Sequence, residues 1–167
     1  MGQLDTIVAR YGMIQLQHEY VAGLVRMFGE QPSNEFRFFR PHAFSEKALN
    51  CLVDDASFLA FVRFDGERIV GYCFMRSFWW GKCFRGYYTD YRYRRRGINV
   101  QMNLCATEVA GCLGLRTYGT ISPENVASLK SAKLANDVHI VQTMPNGDFL
   151  VEYLPKTTDM SVSDRFK

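Results

Sequence analysis

Residues 84–112 read FRGYYTDYRYRRRGINVQMNLCATEVAGC, and this stretch decides the fold. Phe84 to Thr89 is an aromatic, β-favouring run. Asp90 to Arg96 is a basic turn, and after Gly97 the residues Ile98, Met102, Cys105, Val109 and Cys112 recur at steps of four, three, four and three. That is the buried stripe of a helix, closed by Gly111 to Gly114. Strand, tight basic turn, helix is therefore the central unit. The first N–H groups of a helix have no intrahelical acceptor and the helix dipole is positive there, so such a turn suits a phosphate. Gly97 lets the backbone come close to it. From Lys82 to Arg96 there are six basic residues and one acid, so the positive charge of the chain is focused on this unit. A solvated basic turn is the plain alternative; the placement between a strand and an amphipathic helix favours the anion site. No Gly-Lys-Ser/Thr follows, and a single glycine is not a dinucleotide fingerprint.

Outward from this unit, the Asp65-Gly66-Glu67 turn between SFLAFVRF and RIVGYCFM predicts a hairpin over 57–76. Before it, residues 4–10 read as a short strand and 13–29 as a helix with Ile14, Val21, Leu24, Val25 and Phe28 on one face. Ser45 reads as the N-cap of a helix to Val53. After the central helix, 115–121 reads as a strand. Ser122 reads as an N-cap with Pro123 in the first helical position, the helix running to about Asn136. VHIVQT and DFLVEYL around Pro145-Asn146-Gly147 predict a second hairpin. The order β α α β β β α β α β β implies an α/β fold with a mixed sheet packed by helices. One domain over 1–155 and a fraying polar tail over 156–167 are expected.

The chain has 167 residues, 47% hydrophobic and 22% charged. At this length a domain removes roughly 70% of its unfolded surface from water, so a disulfide or metal staple is not needed. Twenty Lys and Arg against 17 Asp and Glu leave +3, too little for a protein that coats nucleic acid. No apolar run reaches membrane-spanning length and no secretory leader is evident. The opening MGQLDT fits a myristoylation pattern without the polybasic stretch of a second anchor. Cys51, Cys73, Cys83, Cys105 and Cys112 show no metal-ligand spacing, which points to small core residues in a reducing, cytoplasmic setting.

The segment TDYRYRRRGIN, 89–99, resembles the acetyl-CoA-binding motif of the GNAT N-acetyltransferase family, Arg/Gln-x-x-Gly-x-Gly/Ala after a strand end, with Arg94 and Gly97 in place. Tyr91 stands where the family often has proline, and Asn99 where it has glycine or alanine. SPENVASLKSAKLAN, 122–136, resembles the family's later helix at Asn125, Ser128, Lys133 and Leu134, without its closing Gly-Phe. The hairpin with Ile69-Val70-Gly71-Tyr72 resembles its second and third strands. The resemblance spans nearly the whole chain. It implies a mixed, mostly antiparallel sheet of about six to seven strands with about four helices, and acetyl transfer from acetyl-CoA to a primary amine of a small molecule without a metal.

In the family the fourth and fifth strands splay and the pantetheine arm lies between them. The resemblance therefore implies cofactor contacts from Tyr88, Thr89, Asp90, Arg94, Arg95, Arg96, Gly97, Ile98, Asn99, Asn125, Ser128 and Lys133. Acyl transfer to an amine needs a neutral nucleophile, an oxyanion donor and a proton for the leaving thiolate. A backbone N–H near Tyr88 or Thr89 suits the oxyanion. Ala132 stands where the family often keeps its general-acid tyrosine, leaving solvent, Ser128 or Ser131. His42 is a candidate base, with a hydrogen-bonded structural histidine as the alternative. Arg37, Arg40, His42, Trp79, Trp80 and Tyr87 are candidates for the acceptor pocket. The segment 36–44 resembles those of amino-sugar or sugar-nucleotide acetyltransferases. Two rivals remain: an acyl-CoA-binding domain without turnover, and an RNA-binding module using the aromatic-basic run 87–96. No nucleic acid or membrane partner is expected, and a homodimer is left open.

Overall fold

Gly66 takes a φ of +58° at the tip of the first hairpin, where Asp65 faces Arg68 and the strands pair antiparallel back to Phe58 and Arg76. Around this hairpin the computed structural model, which describes residues 2–157, builds a single seven-stranded sheet. Along the chain the elements are α1 (Gln3–Arg10), β1 (Met13–Gln15), α2 (His18–Gly29), α3 (Glu46–Val53), β2 (Phe58–Asp65), β3 (Arg68–Trp79) and β4 (Lys82–Thr89). They continue with α4 (Ile98–Cys112), β5 (Arg116–Ile121), α5 (Val126–Ala135), β6 (Asn136–Thr143) and β7 (Phe149–Pro155). The spatial order is β1-β2-β3-β4-β5-β7-β6. Every pairing is antiparallel except β4 with β5, which is parallel because α4 carries the chain across between them.

The pleat of β3 sends Cys73 and Met75 to one face and Tyr72 and Phe74 to the other. On the first face Met102, Cys105 and Val109 of α4 and Ile7 and Val8 of α1 complete a core. On the second, Val21, Leu24 and Phe28 of α2 and Leu49 of α3 do so, with Phe28 and Phe44 stacked at 4.1 Å. A smaller cluster of Ile121, Ala132, Val151 and Tyr153 seats α5 beside α4.

Four sequence expectations are corrected. Residues 4–10 form α1, not a strand. The β-branched run Thr6-Ile7-Val8 has too few residues to fix a period, whereas the Asp5 carboxylate accepts the Gly2 N–H at 2.9 Å and Tyr11 donates to Glu108 of α4 at 2.7 Å. The helix expected over 13–29 starts at His18, because Met13–Gln15 adds to the sheet edge beside β2 and leaves Ile14 exposed. Ser122 does not cap α5. Its hydroxyl accepts the Glu124 N–H in a turn, and Asn125 caps instead, accepting the Ser128 N–H at 3.2 Å. Cys51 and Cys112 are exposed; Cys73, Cys83 and Cys105 are core residues. The expected cap at Ser45 is present, accepting the Ala48 N–H. Of the tail, residues 158–167 lie outside the described residues, and Thr157 is held by two bonds to the Asp137 carboxylate at 3.1 Å.

Candidate functional site

The β4–β5 ladder is short. Lys82, Cys83 and Phe84 pair with Arg116, Thr117 and Tyr118, and there it stops. Both strands continue, β4 held on its far side by β3 as far as Thr89 and β5 by β7 as far as Ile121, so their facing edges part with backbone groups unpaired. Unpaired edges in an interior require partners. The crotch is narrow because of Gly119: a Cβ there would lie 2.8 Å from the Tyr153 hydroxyl and 3.3 Å from the Arg85 carbonyl. The space between the strands is a cleft of about 1470 Å³, walled by Arg85 to Thr89, by Thr120 to Ser122 and the start of α5, and by residues of the segment 34–40.

The basic turn stands at the mouth. Arg94 is extended, Arg95 sits at φ +62°, and Gly97 caps α4 at φ +74°, ψ 4°. A non-glycine left-handed residue is uncommon and costs free energy, and left-handed positions next to a helix start form an anion-binding concavity. Arg94, Arg95, Gly97, Ile98 and Asn99 line the cleft. Asp90 and Arg96 do not; Arg96 lies over the Tyr93 ring at 4.7 Å. The four arginines are not equally free. Arg92 is bound to Asp90 and Glu30, and Arg94 pairs with Glu35.

Asp90 holds the turn in place. Its carboxylate is fully buried and accepts the Arg92 backbone N–H at 3.0 Å and side-chain N–H groups at 3.0 and 2.7 Å. Burial raises its pKa, but the Arg92 hydrogen bonds outweigh burial and hold it below the ordinary carboxylate range. A depressed folded pKa gives stability that is present above the unfolded value, near 3.9, and lost as pH falls through the folded one. Asp90→Asn is expected to lose about 2 kcal/mol at pH 7 in urea titration. Between pH 5 and 2 its stability should decline less than that of the wild type; equal declines would remove Asp90 from this role.

The other sequence candidates divide. Tyr87, Tyr88 and Thr89 line the cleft. Tyr88 donates to Gln31 at 3.1 Å, and burial pushes its pKa up to about 12, so its phenol stays protonated near neutrality. Ser128, Ser131 and Asn125 line it from α5, where Ala127, Ser131 and Leu134 share the face; Lys133 is turned away. Arg37 and Arg40 line it, Arg37 paired with Glu124 across the opening. His42 does not. Its Nδ1 donates to the Ala43 carbonyl at 2.9 Å and its Nε2 accepts from the Tyr72 hydroxyl at 2.8 Å. Burial lowers its pKa, among the rings of Phe44, Phe58 and Phe74. Trp79 and Trp80 lie at the β3–β4 turn, at the other end of β4 from the basic turn, 68% and 87% exposed.

Sequence reasoning missed Arg85, a buried cation in the cleft, and the chain of polar groups behind it. Arg85 Nη1 donates to Thr107 Oγ1 at 2.8 Å, Thr107 meets the Asn136 side-chain carbonyl, and Asn136 donates to Asn103 at 3.4 Å. Asn103 and Thr107, four apart inside an apolar helix, were the available signal. The Tyr87 hydroxyl and Thr89 Oγ1 are buried without a partner among the described residues, and with Arg85 they share one face of β4.

No family model matches this sequence, and no curated protein matches it. Among solved structures, it is similar to the GNAT domain of S. lividans PAT, with 12% identity over 84% of this chain and 88% of that one and a TM-score of 0.74. Mycobacterium smegmatis RimJ in complex with CoA-disulfide gives 13%, 86%, 80% and 0.71. An aminoglycoside acetyltransferase in complex with coenzyme A and kanamycin gives 11%, 86%, 94% and 0.66. These likenesses cover most of each chain.

Proposed function

We propose that this chain, which has the GNAT fold, is an N-acetyltransferase of that family, using acetyl-CoA and acting on a primary amine of a small molecule. The observation that carries the reading is the splayed β4–β5 pair with a left-handed glycine helix start at its mouth. The residues fit the group: unpaired strand edges and a positive turn wall one cleft. Arg94, Arg95 and the backbone from Gly97 to Asn99 would hold the diphosphate, and the β4 edge the pantetheine amides. When bound, acetyl-CoA supplies an acyl thioester activated toward amines. Backbone N–H groups near Tyr88 and Thr89 stabilise the developing oxyanion. Ser128 or Ser131 delivers the proton to the leaving sulfur. His42 plays no part in this scheme, since both ring nitrogens are engaged away from the cleft. Five unpaired cysteines accord with a reducing, cytoplasmic setting.

The acceptor side is the wall of residues 34–40, where Arg37 and Arg40 stand among phenylalanines. Amino sugars head the substrate classes we propose, in keeping with a similar fold that binds kanamycin. The RNA reading loses support from the neutralisation of Arg92 and Arg94 by acids.

Calorimetry should give an acetyl-CoA Kd on the order of micromolar, about −8 kcal/mol, and a panel of amines that includes amino sugars should release free thiol. Binding with no thiol release on any amine would replace the enzyme by a non-catalytic acyl-CoA binder. Absence of binding would overturn both.

A further inference from the structure

Glu35 is a carboxylate that reaches the cleft from the wall of residues 34–40. It lies on a single 3₁₀ turn, Ser33–Arg37, and its side chain is 18% exposed. Its one ionic partner among the described residues is Arg94 of the basic turn, which also lines the cleft and is 48% exposed. Both charges act on the same strand. Beneath the larger effect of burial, Arg94 lowers and Glu35 raises the pKa of the Tyr88 phenol. Phe36 and Phe39 pack on that ring, with centroids at 5.4 and 5.1 Å. The pair therefore stands where the basic turn, β4 and the wall meet.

The neighbouring arginine is tied differently. Arg92 holds the fully buried Asp90 through Nε and Nη2, at 3.0 and 2.7 Å, and Glu30 at 2.7 Å, a set of bonds that fixes the shape of the turn. Arg94 has a single tie, and a pair with a partner this exposed holds weakly. On the coenzyme A reading a diphosphate comes to the same guanidinium. It brings more charge than a carboxylate and is also held by the N–H groups at the start of α4. Glu35 is then a like charge beside it, which repels. Once Arg94 turns to the phosphate, a carboxylate this enclosed has lost its counter-ion and is unfavourable until another cation takes the place. Arg37 is already paired with Glu124. The cation that comes to this wall is the acceptor, which reaches the protein as an ammonium.

We propose that Glu35 exchanges partners between the two substrates, giving up Arg94 to the diphosphate and taking the ammonium of the amine acceptor. The inference rests on the coenzyme A and amine reading above and adds to it the residue that selects a cationic acceptor. Donor binding thereby strengthens acceptor binding, and by linkage the acceptor strengthens donor binding by the same factor.

The test begins with calorimetry of the full chain and free coenzyme A. Glu35→Gln, which keeps the shape and removes the charge, should bind it at least about threefold more tightly than the wild type. In an Arg94→Gln background the same change should have an effect below about 1.5-fold, because Glu35 acts through Arg94. In thiol release across the amine panel, Glu35→Gln should raise the KM of the amine at least about tenfold with kcat within about threefold, and Glu35→Asp should recover part of the loss. Tighter binding that persists without Arg94 would reduce Glu35 to a background charge and overturn the exchange. Unchanged or weaker coenzyme A binding by Glu35→Gln would overturn it and leave the cofactor reading standing. An unchanged KM would overturn the acceptor role, and a wild type that releases thiol on no amine would overturn it together with the enzyme reading. Failure of the wild type to bind coenzyme A would overturn the exchange and the cofactor reading alike.

Discussion

Gly97→Asp is expected to weaken coenzyme A binding at least about 100-fold, roughly 2.7 kcal/mol, while the protein stays folded. Gly97 is left-handed at φ +74°, and a Cβ placed there would meet nothing within 4 Å. Aspartate and asparagine enter this conformation at less cost than other side chains, so the melting temperature should fall by only a few degrees. The new carboxylate stands where α4 begins, against the charge of a diphosphate, and takes away the positive field that the helix start provides. Gly97→Asn has nearly the same shape without the charge and should lose much less. If the two variants bind alike, shape and not charge governs the turn. If neither is impaired in calorimetry, the anion site is elsewhere.

The second large effect is expected at the crotch of the splayed strands. A valine at Gly119 would drive its Cβ to 2.8 Å from the Tyr153 hydroxyl, 3.0 Å from the ring and 3.3 Å from the Arg85 carbonyl. The last of these is backbone and cannot swing aside. Overpacking of this kind costs about 3 kcal/mol, or roughly 6–12 °C of melting temperature at this size. Tyr153 also supports Arg85, so coenzyme A binding should weaken along with stability in Gly119→Val. A variant that melts like the wild type would show that the strands part for a reason other than the missing side chain.

Legibility in the sequence followed the length of each signal. The central unit was readable because the helix stripe from Ile98 to Val109 spans more than three turns, and the hairpins because Asp-Gly and Asn-Gly between β-rich runs leave little choice. Residues 4–10 were not, since seven residues with three β-branched neighbours satisfy either period, and only burial against α4 decides for a helix. Ser122-Pro123 imitates a helix start, but a hydroxyl can close a turn as readily as it can cap, and Asn125 was three residues away to take the cap. The turn and the α5 face of the cleft were anticipated from Arg94, Gly97 and Ser128. The wall of residues 34–40 was half legible. Arg37 and Arg40 reach the cleft, whereas His42 folds back onto Tyr72, a partner thirty residues distant. Arg85 was hidden for a similar reason: an arginine in a strand reads as an exposed residue until the strand beside it departs.

The cleft is assembled from three separate stretches of chain. From Arg85 to Leu134 the lining belongs to one continuous run through β4, α4, β5 and α5, to which Asp148 and Tyr153 add, while the opposite wall comes from residues 34–40, joined to that run by the Arg94–Glu35 and Arg37–Glu124 pairs and by Phe36 and Phe39 against Tyr88. Both pairs involve exposed arginines, and ion pairs of this kind contribute little to stability, about 0–1 kcal/mol each. The exposed positions of the shorter wall can therefore change residue by residue over generations at small cost to the fold, while Phe36 and Phe39 are held by the aromatic core. Inheritance can preserve the longer wall intact while the exposed part of the shorter one drifts.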